Sequence, residues 1–215
     1  MSASKKNIIV FDIGNVLLPY DWGRILYALP GVSRTNLYDW LHDEVYDAYE
    51  KGLIDEKVLL LKFNKHFHTK FDEQRLFTLF NEIFLEPPGY VGKMIPELAK
   101  RYHLYALSNT CHWHEIYFME KLKDTWVYFE KIFCSHHLHL RKPSGEIYKL
   151  VEKEIKAENQ KIIFLDDKIE NIESAKCTTL CGKGIPTPFC LNNSKILYLN
   201  SLLMFSILKI SSDQK

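Results

Sequence analysis

Four apolar runs, each followed by a polar cluster, constrain the fold of this 215-residue chain more than any other feature. The runs cover residues 7–11, 104–107, 131–134 and 161–165. Continuous apolar runs of this length, separated by helical patterns, are typical of parallel strands that are buried on both faces. We therefore predict an α/β fold with a Rossmann-like parallel sheet at its core.

The polar residues that come after these runs carry the candidate chemistry. In chain order they are Asp12, Ser108 with Asn109, Lys142, and the adjacent pair Asp166 and Asp167. In an open α/β sheet, ligands bind beyond the carboxyl ends of the strands. We therefore expect these side chains to converge on one edge of the sheet, where they could hold a divalent cation and a dianion together.

Each of these residues has an ordinary structural explanation when it is taken alone. A strand-end aspartate such as Asp12 is commonly a helix cap or turn former, although an ionised carboxylate can attack phosphorus without an adjacent base. Asp166 and Asp167 would repel each other unless a cation lies between them, and Mg²⁺ binds one or two carboxylates together with substrate phosphate. A loop lysine such as Lys142 is usually solvated. The four clusters together favour a functional site.

The pattern between the first and second apolar runs is helical. Stretches that begin near Trp22, Val58 and Leu76 place apolar residues at helical spacing. Asp55 and Asp72 are predicted N-caps of two of these helices. The chain therefore reads as a sheet-containing core that is interrupted, after its first strand, by a helical insert.

The domain organisation follows from this change of pattern. We predict that residues 1–17 and 89–215 form the Rossmann-like core and that residues 18–88 form an inserted helical cap. Residues 184–186 could open an edge strand, and the apolar residues 196–210 are predicted to form a helix that packs on the core.

Composition argues against several classes of partner. The formal net charge is +1, which provides no broad basic face for nucleic acid. No apolar run reaches the roughly 18–20 residues that span a bilayer. The N-terminal residues do not resemble a signal peptide, and the five cysteines form no CxxC pair, which indicates free thiols in a reducing compartment rather than a zinc site. We therefore expect a cytoplasmic protein.

Two groups of histidines raise the question of a transition metal. They are His112 with His114, and the three histidines among residues 136–139. Strand alternation would place His137 and His139 on one face of a strand. We favour solvated histidines, or histidines at the edge of the substrate site, over a metal site.

The polar clusters, in their order and spacing, resemble the four motifs of the haloacid dehalogenase superfamily of phosphohydrolases. The motifs lie at residues 11–17, 107–110, 141–143 and 164–171, and the insert matches that superfamily's helical cap. The forms Phe-Asp-Ile-Gly-Asn-Val, Ser-Asn-Thr and Arg-Lys-Pro are most similar to the branch that contains bacterial α-D-glucose-1-phosphate phosphatase.

The resemblance implies a role for each motif residue. Asp12 would be the nucleophile, Ser108 and Asn109 would bind phosphate, and Lys142 would stabilise charge. Mg²⁺ would be held by Asp12, Asp167 and the backbone carbonyl of Gly14, with Asp166 supporting it directly or through water.

One position departs from the usual pattern of the superfamily. Most of its phosphatases carry a second aspartate two residues after the nucleophile, where this chain has Gly14. That aspartate protonates the leaving oxygen, and general acid–base help contributes roughly 10²–10⁴ in rate. We therefore expect slow turnover or a preference for a better leaving group. The glucose-1-phosphate phosphatase branch also has glycine here, so the glycine does not by itself indicate an inactive protein.

These observations predict a Mg²⁺-dependent phosphatase that acts on a small phosphorylated metabolite, with sugar phosphates favoured, through an aspartyl-phosphate. Insert residues such as Trp22, Tyr46, Tyr49 and Glu50 could line its pocket. Two alternatives are a non-catalytic or regulatory phosphate-binding protein and a hydrolytic dehalogenase. Dehalogenation needs no cation, so the pair of adjacent carboxylates argues against it.

Overall fold

A four-stranded, all-parallel sheet lies at the centre of the protein, whose computed structural model describes residues 6–157 and 160–176. The strands are β1 (Asn7–Phe11), β2 (Tyr102–Ser108), β3 (Phe129–Cys134) and β4 (Ile162–Leu165), in the order β3–β2–β1–β4. The predicted α/β fold is therefore confirmed. The predicted edge strand at residues 184–186 and the predicted helix at residues 196–210 lie outside the described residues.

Both faces of the sheet are covered, as the unbroken apolar runs require. In β1, Ile9 and Phe11 belong to one buried cluster, whereas Ile8 and Val10 belong to another on the opposite face. The helices that follow β1 in the core are α5 (Gly89–Ala99), α6 (His112–Lys121), α7 (Lys123–Trp126), α8 (Ser135–Leu138), α9 (Gly145–Ile155) and α10 (Ile169–Lys176). Among all the residues that the structure describes, no helix is long and apolar enough to cross a membrane.

The segment between β1 and β2 is helical, as its periodicity predicts. It contains a 3₁₀ helix (Trp22–Ala28), α1 (Arg34–Leu41), α2 (Glu44–Glu50), α3 (Glu56–Phe67) and α4 (Glu73–Asn81). Asp55 accepts a hydrogen bond from the Val58 N–H, and Asp72 accepts one from the Arg75 N–H. Both predicted N-caps are therefore confirmed, and each satisfies a backbone donor that the helix itself leaves unpaired.

A cluster of aromatic rings forms the interior of this insert. Phe63 is fully buried and its ring lies 5.1 Å from Trp40, 4.7 Å from Phe67 and 5.9 Å from Phe80, measured between centroids. The same cluster includes Trp113 at the start of α6. The insert therefore packs on the helix that follows β2 and lies over the carboxyl edge of the sheet.

One expectation about the strands is wrong. The chain leaves β3 at Cys134 and continues as the short helix α8, so His137 and His139 do not share a strand face. The register explains why, because Cys134 pairs with Ser108, the last residue of β2. Within residues 6–157 and 160–176, no neighbouring strand extends beyond that pair to continue the ladder.

We expect Phe63→Ala to destabilise the protein by about 3–5 kcal/mol, since it leaves a cavity among rings that cannot close around it. Urea unfolding followed by circular dichroism measures the change. Leu61→Ala is the matched control, because Leu61 lies on the same helix and is 71% exposed. Equal losses in the two variants would contradict this account of the insert's interior.

Candidate active site

The carboxyl edge of the sheet opens into a cavity of about 660 Å³, which lies between the sheet and the insert. Of the residues predicted to form the site, the cavity is lined by Asp12, Gly14, Ser108, Asn109, Lys142 and Asp167. From the insert, Trp22, Tyr46 and Glu50 also line it, whereas Tyr49 packs its ring 6.0 Å from that of Trp113. The fold therefore brings the four motifs together.

Lys142 lies at the centre of the site and is 2% exposed. Its ammonium is 3.0 Å from Oδ1 of Asp12 and 2.6 Å from Oδ2 of Asp166, and it donates a hydrogen bond of 2.9 Å to the carbonyl of Leu107. A buried charge is tolerated only when it is paired and hydrogen-bonded, and here three oxygens surround it. One side chain thus joins the ends of β1, β2 and β4.

Asp166 is completely buried beneath the cavity, and both of its oxygens are engaged. Besides Lys142, it accepts hydrogen bonds of 2.9 and 3.0 Å from the Asn171 amide and one of 2.9 Å from the Lys168 N–H. The sequence assigns Asn171 to the fourth motif but does not reveal this contact. The arrangement holds Asp166 against Lys142.

Asp12 is a carboxylate that its surroundings perturb strongly. It is 7% exposed, and its Oδ1 accepts a hydrogen bond of 2.7 Å from the Ile13 N–H. Burial raises the pKa of Asp12 to about 7, with Asp166 and Asp167 adding to the rise and Lys142 opposing it. The positive charge of Lys142 therefore does not offset the effects of burial and of the two neighbouring carboxylates on the pKa of Asp12.

Asp167 is held by a residue to which sequence reasoning gave no role. Asn15 donates a hydrogen bond of 3.0 Å to Oδ2 of Asp167, and its own Oδ1 accepts one of 3.2 Å from the Tyr20 N–H. Asn15 has a φ of 55°, a left-handed conformation that asparagine tolerates better than most residues. Burial raises the pKa of Asp167, and the nearby Asp166 adds to that rise.

Ser108 and Asn109 reach the site in different ways. Ser108 is buried at the end of β2 and lines the cavity. The Asn109 side chain donates to the carbonyl of Lys142 and accepts from its N–H, both at 2.8 Å. The amide of Asn109 therefore positions the Lys142 backbone, and its role as a phosphate binder stays a prediction.

Gly14 lies directly beneath the ring of Tyr20. A Cβ atom at position 14 would be 2.8 Å from Cε1 of that ring, which is closer than real Cβ atoms come to any neighbour. The space that a second aspartate would need is therefore taken by Tyr20 in this chain.

The insert is joined to the third motif through Arg141. Its guanidinium lies 2.8 Å from Oδ1 of Asp47 and 2.6 Å from Oε2 of Glu50, both on α2. Sequence reasoning gave Arg141 no role of its own. Since Lys142 follows it directly, these ion pairs link the position of α2 to that of the buried ammonium.

Of the histidines named above, His114 lies apart from His112 and His136. His114 lines the cavity and its Nε2 lies 3.2 Å from the carbonyl of Phe80, and burial lowers the pKa of His114 to about 4. It is therefore neutral at physiological pH. His112 and His136 lie outside the cavity lining, next to Glu115.

The carboxylates have the composition of a magnesium site. One oxygen each from Asp12, Asp166 and Asp167 lies within 4.8 Å of the others. A hard divalent cation prefers such oxygen ligands, and it would favour the ionised form of Asp12, whose pKa is raised by burial first and by Asp166 and Asp167 second. The residues present thus fit Mg²⁺.

Two curated proteins, one named a hydrolase and the other a phosphatase, are similar to most of the chain. Flavin mononucleotide hydrolase 1 of Arabidopsis thaliana is 29% identical over 90% of this chain and 75% of its own length. D-ribitol-5-phosphate phosphatase of Bacteroides thetaiotaomicron is 27% identical over 78% of this chain and 86% of its own length. The match to drimenol cyclase drtB of Aspergillus calidoustus, at 26% identity over 78% of this chain, spans only 32% of that protein.

A solved structure and a family model complete the comparison. A HAD family enzyme of Bacteroides thetaiotaomicron, crystallised with magnesium and inorganic phosphate, superposes with a TM-score of 0.72. It is 22% identical and is matched over 90% of this chain and 100% of its own, which shows a shared fold. The model of the haloacid dehalogenase-like hydrolases matches residues 55–180, more than half of the chain. The protein therefore belongs to the haloacid dehalogenase-like hydrolase family.

Proposed function

We propose that this hydrolase is a Mg²⁺-dependent phosphatase that acts on a small phosphorylated metabolite through an aspartyl-phosphate. The observation that carries the proposal is the buried ammonium of Lys142, which lies between Asp12 and Asp166 at the floor of a cavity large enough for a metabolite. That arrangement holds a carboxylate and a positive charge where a phosphoryl group can meet both.

Asp12 is the proposed nucleophile. It lines the cavity at the end of β1, and its Oδ1 is occupied by the Ile13 N–H and Lys142. These contacts fix the orientation of the carboxylate, which then attacks phosphorus in line with the leaving oxygen. Attack forms the aspartyl-phosphate and breaks the bond from phosphorus to the leaving oxygen, which takes a proton from water and departs as the alcohol. Water then attacks the phosphorus of the acyl phosphate, which releases inorganic phosphate and restores Asp12.

Mg²⁺ is the proposed cofactor, with Asp12, Asp167 and the Gly14 carbonyl as ligands. Asp166 supports it directly or through water, and its engaged oxygens favour the second arrangement. When bound, the ion would neutralise negative charge on the phosphoryl oxygens. Lys142 would add its own positive charge, and Ser108 with Asn109 is proposed to bind the remaining oxygens.

The cavity suggests how the substrate is enclosed. We propose that residues 18–88 act as a cap and that residues 1–17 and 89–215 form the catalytic core. Support comes from the cavity, which both parts line, and from the pairing of Arg141 with Asp47 and Glu50. A closed cap would exclude water from the phosphoryl group.

The substrate class is proposed to be a sugar phosphate or a related polyol phosphate, as in the α-D-glucose-1-phosphate phosphatase branch. Polar side chains from the insert, among them Arg34, His42 and Glu50, line the cavity and could bind hydroxyl groups. The name of the ribitol-5-phosphate relative is consistent with this class.

Location of the protein in the cytoplasm stays a prediction.

We expect Mg²⁺ to stabilise the fold, because it relieves repulsion among carboxylates and binds only the native state. At about 100 times its dissociation constant the gain is about 2.7 kcal/mol. Asp167→Asn should abolish most of the shift in melting temperature, whereas Asp124→Asn, at an exposed position on α7, should retain it. An equal response in all three proteins would refute the proposed metal site.

We expect Asp12→Asn to lower kcat by at least about a thousandfold, or about 4 kcal/mol, since an amide oxygen is a poor nucleophile. Steady-state turnover of p-nitrophenyl phosphate with Mg²⁺ measures the loss, and trapping with beryllium fluoride reports the acyl-phosphate site. Exposed Asp39→Asn is the control. If the Asp12 variant kept more than about a tenth of wild-type kcat, a change under about 1.4 kcal/mol, Asp12 would not be the nucleophile.

The alternative functions give different results in the same assay. A wild-type protein that binds Mg²⁺ and phosphate without turnover would be the regulatory protein. Gly14, which stands where most phosphatases of the superfamily have an acid, is the observation that suggests this alternative. Turnover of a haloacid without added cation would indicate the dehalogenase.

We expect an acid at position 14 to help poor leaving groups most, because alkoxides need a proton more than aryl oxides do. Tyr20 fills that space, so the informative variant is the double change Gly14→Asp with Tyr20→Ala. Its ratio of alkyl to aryl phosphate turnover should rise above that of Gly14→Asn with Tyr20→Ala, which has the same shape without the acid. An unchanged ratio would contradict the assignment of this position.

A further inference from the structure

A second group of possible metal ligands lies outside the cavity lining, between the start of α6 and α8. His112 and Glu115 are one helical turn apart at the start of α6, and His136 faces them from α8. One ligand atom from each lies within 4.8 Å of the others. The cavity is not lined by any of these three residues, so the group is separate from the site proposed for Mg²⁺.

The buried imidazole of His136 lies between two acceptor groups. This imidazole is 8% exposed, with Nδ1 3.2 Å from the carbonyl of Thr110 and Nε2 3.0 Å from Oε2 of Glu115. Both partners are acceptors, but a neutral imidazole has only one N–H donor. If Nδ1 donates to Thr110, Nε2 directs a lone pair at the Glu115 carboxylate, and a metal ion bound by both atoms would resolve this contact.

A third imidazole approaches the same carboxylate. Nε2 of His137 lies 2.8 Å from the same oxygen of Glu115, and its ring centroid is 4.0 Å from that of His136. A single divalent ion would give the imidazole nitrogens and this carboxylate oxygen one common partner.

The surrounding contacts match those of a histidine ligand. A metal-bound histidine commonly donates its other N–H to a backbone carbonyl, as Nδ1 of His136 can donate to Thr110. His112 provides a second imidazole at an exposed position, which leaves the group open to solvent.

We infer that His112, Glu115 and His136 form a second metal site, for a divalent transition-metal ion of the zinc class. Two imidazoles and a carboxylate are a common zinc ligand set, in which tetrahedral ligands lie about 3.3 Å apart. His137 or water would complete the coordination. Mg²⁺ does not compete, since it prefers sites built from oxygen. The ion would join α6 to α8 beside Thr110, next to the proposed phosphate-binding residues.

The test uses the full-length protein, stripped of metal and then kept in excess Mg²⁺. Co²⁺ is added as a probe, because tetrahedral Co²⁺ absorbs visible light, and Zn²⁺ is then titrated to displace it. We expect one equivalent of Zn²⁺ to bind and to raise the melting temperature. His112→Ala should weaken binding by more than about 100-fold, since loss of even an outer partner weakens it 10–100-fold.

Three further variants make the result specific. Glu115→Gln should lose binding as His112→Ala does, whereas His66→Ala, an exposed histidine on α3, should keep it. Asp167→Asn, in the proposed magnesium site, should also keep it. The melting temperature of each metal-free variant shows whether it has folded. The inference is overturned if wild type binds Zn²⁺ no more tightly than His112→Ala, or if Asp167→Asn alone abolishes binding.

Discussion

The buried ammonium of Lys142 is the interaction on which the rest of the site depends. It pairs with Asp12 and Asp166 and donates to the carbonyl of Leu107, so it joins three strand ends. Removing such a charge from water costs several kcal/mol, which is offset only when its partners are well placed. Asn109 fixes the backbone of Lys142 through both ends of its amide. Geometry at this edge of the sheet therefore follows from satisfying one cation.

That cation does not neutralise the carboxylates around it. The pKa of Asp12 rises to about 7 and that of Asp167 also rises, in both cases mainly because the groups are buried. The same desolvation that would make the proposed nucleophile reactive toward phosphorus would also destabilise the site without a divalent ion. Burial of the carboxylates would thus explain both why the site requires Mg²⁺ and why Asp12 can act as a nucleophile.

The insert and the sheet share the edge at which this chemistry is proposed. Ser135 lies 2.6 Å from the carbonyl of Glu50 in the insert and accepts a hydrogen bond of 2.9 Å from the Thr110 N–H. Arg141 pairs with Glu50 from the third motif. His136 follows Ser135 directly, so the proposed zinc-class site would strengthen contacts that already join the insert to the loop after β2.

The amino-acid sequence by itself determined the parallel sheet, the helical insert and the edge where Asp12, Lys142 and Asp167 meet. These follow from local patterns, since unbroken apolar runs form buried strands and ligands bind at their carboxyl ends. Tertiary structure alone decided that Tyr20 fills the space above Gly14. It likewise decided the bond from Asn15 to Asp167 and the meeting of His112 and Glu115 with His136. Such contacts join residues far apart in the chain or depend on a turn's conformation, and neither spacing nor periodicity encodes them.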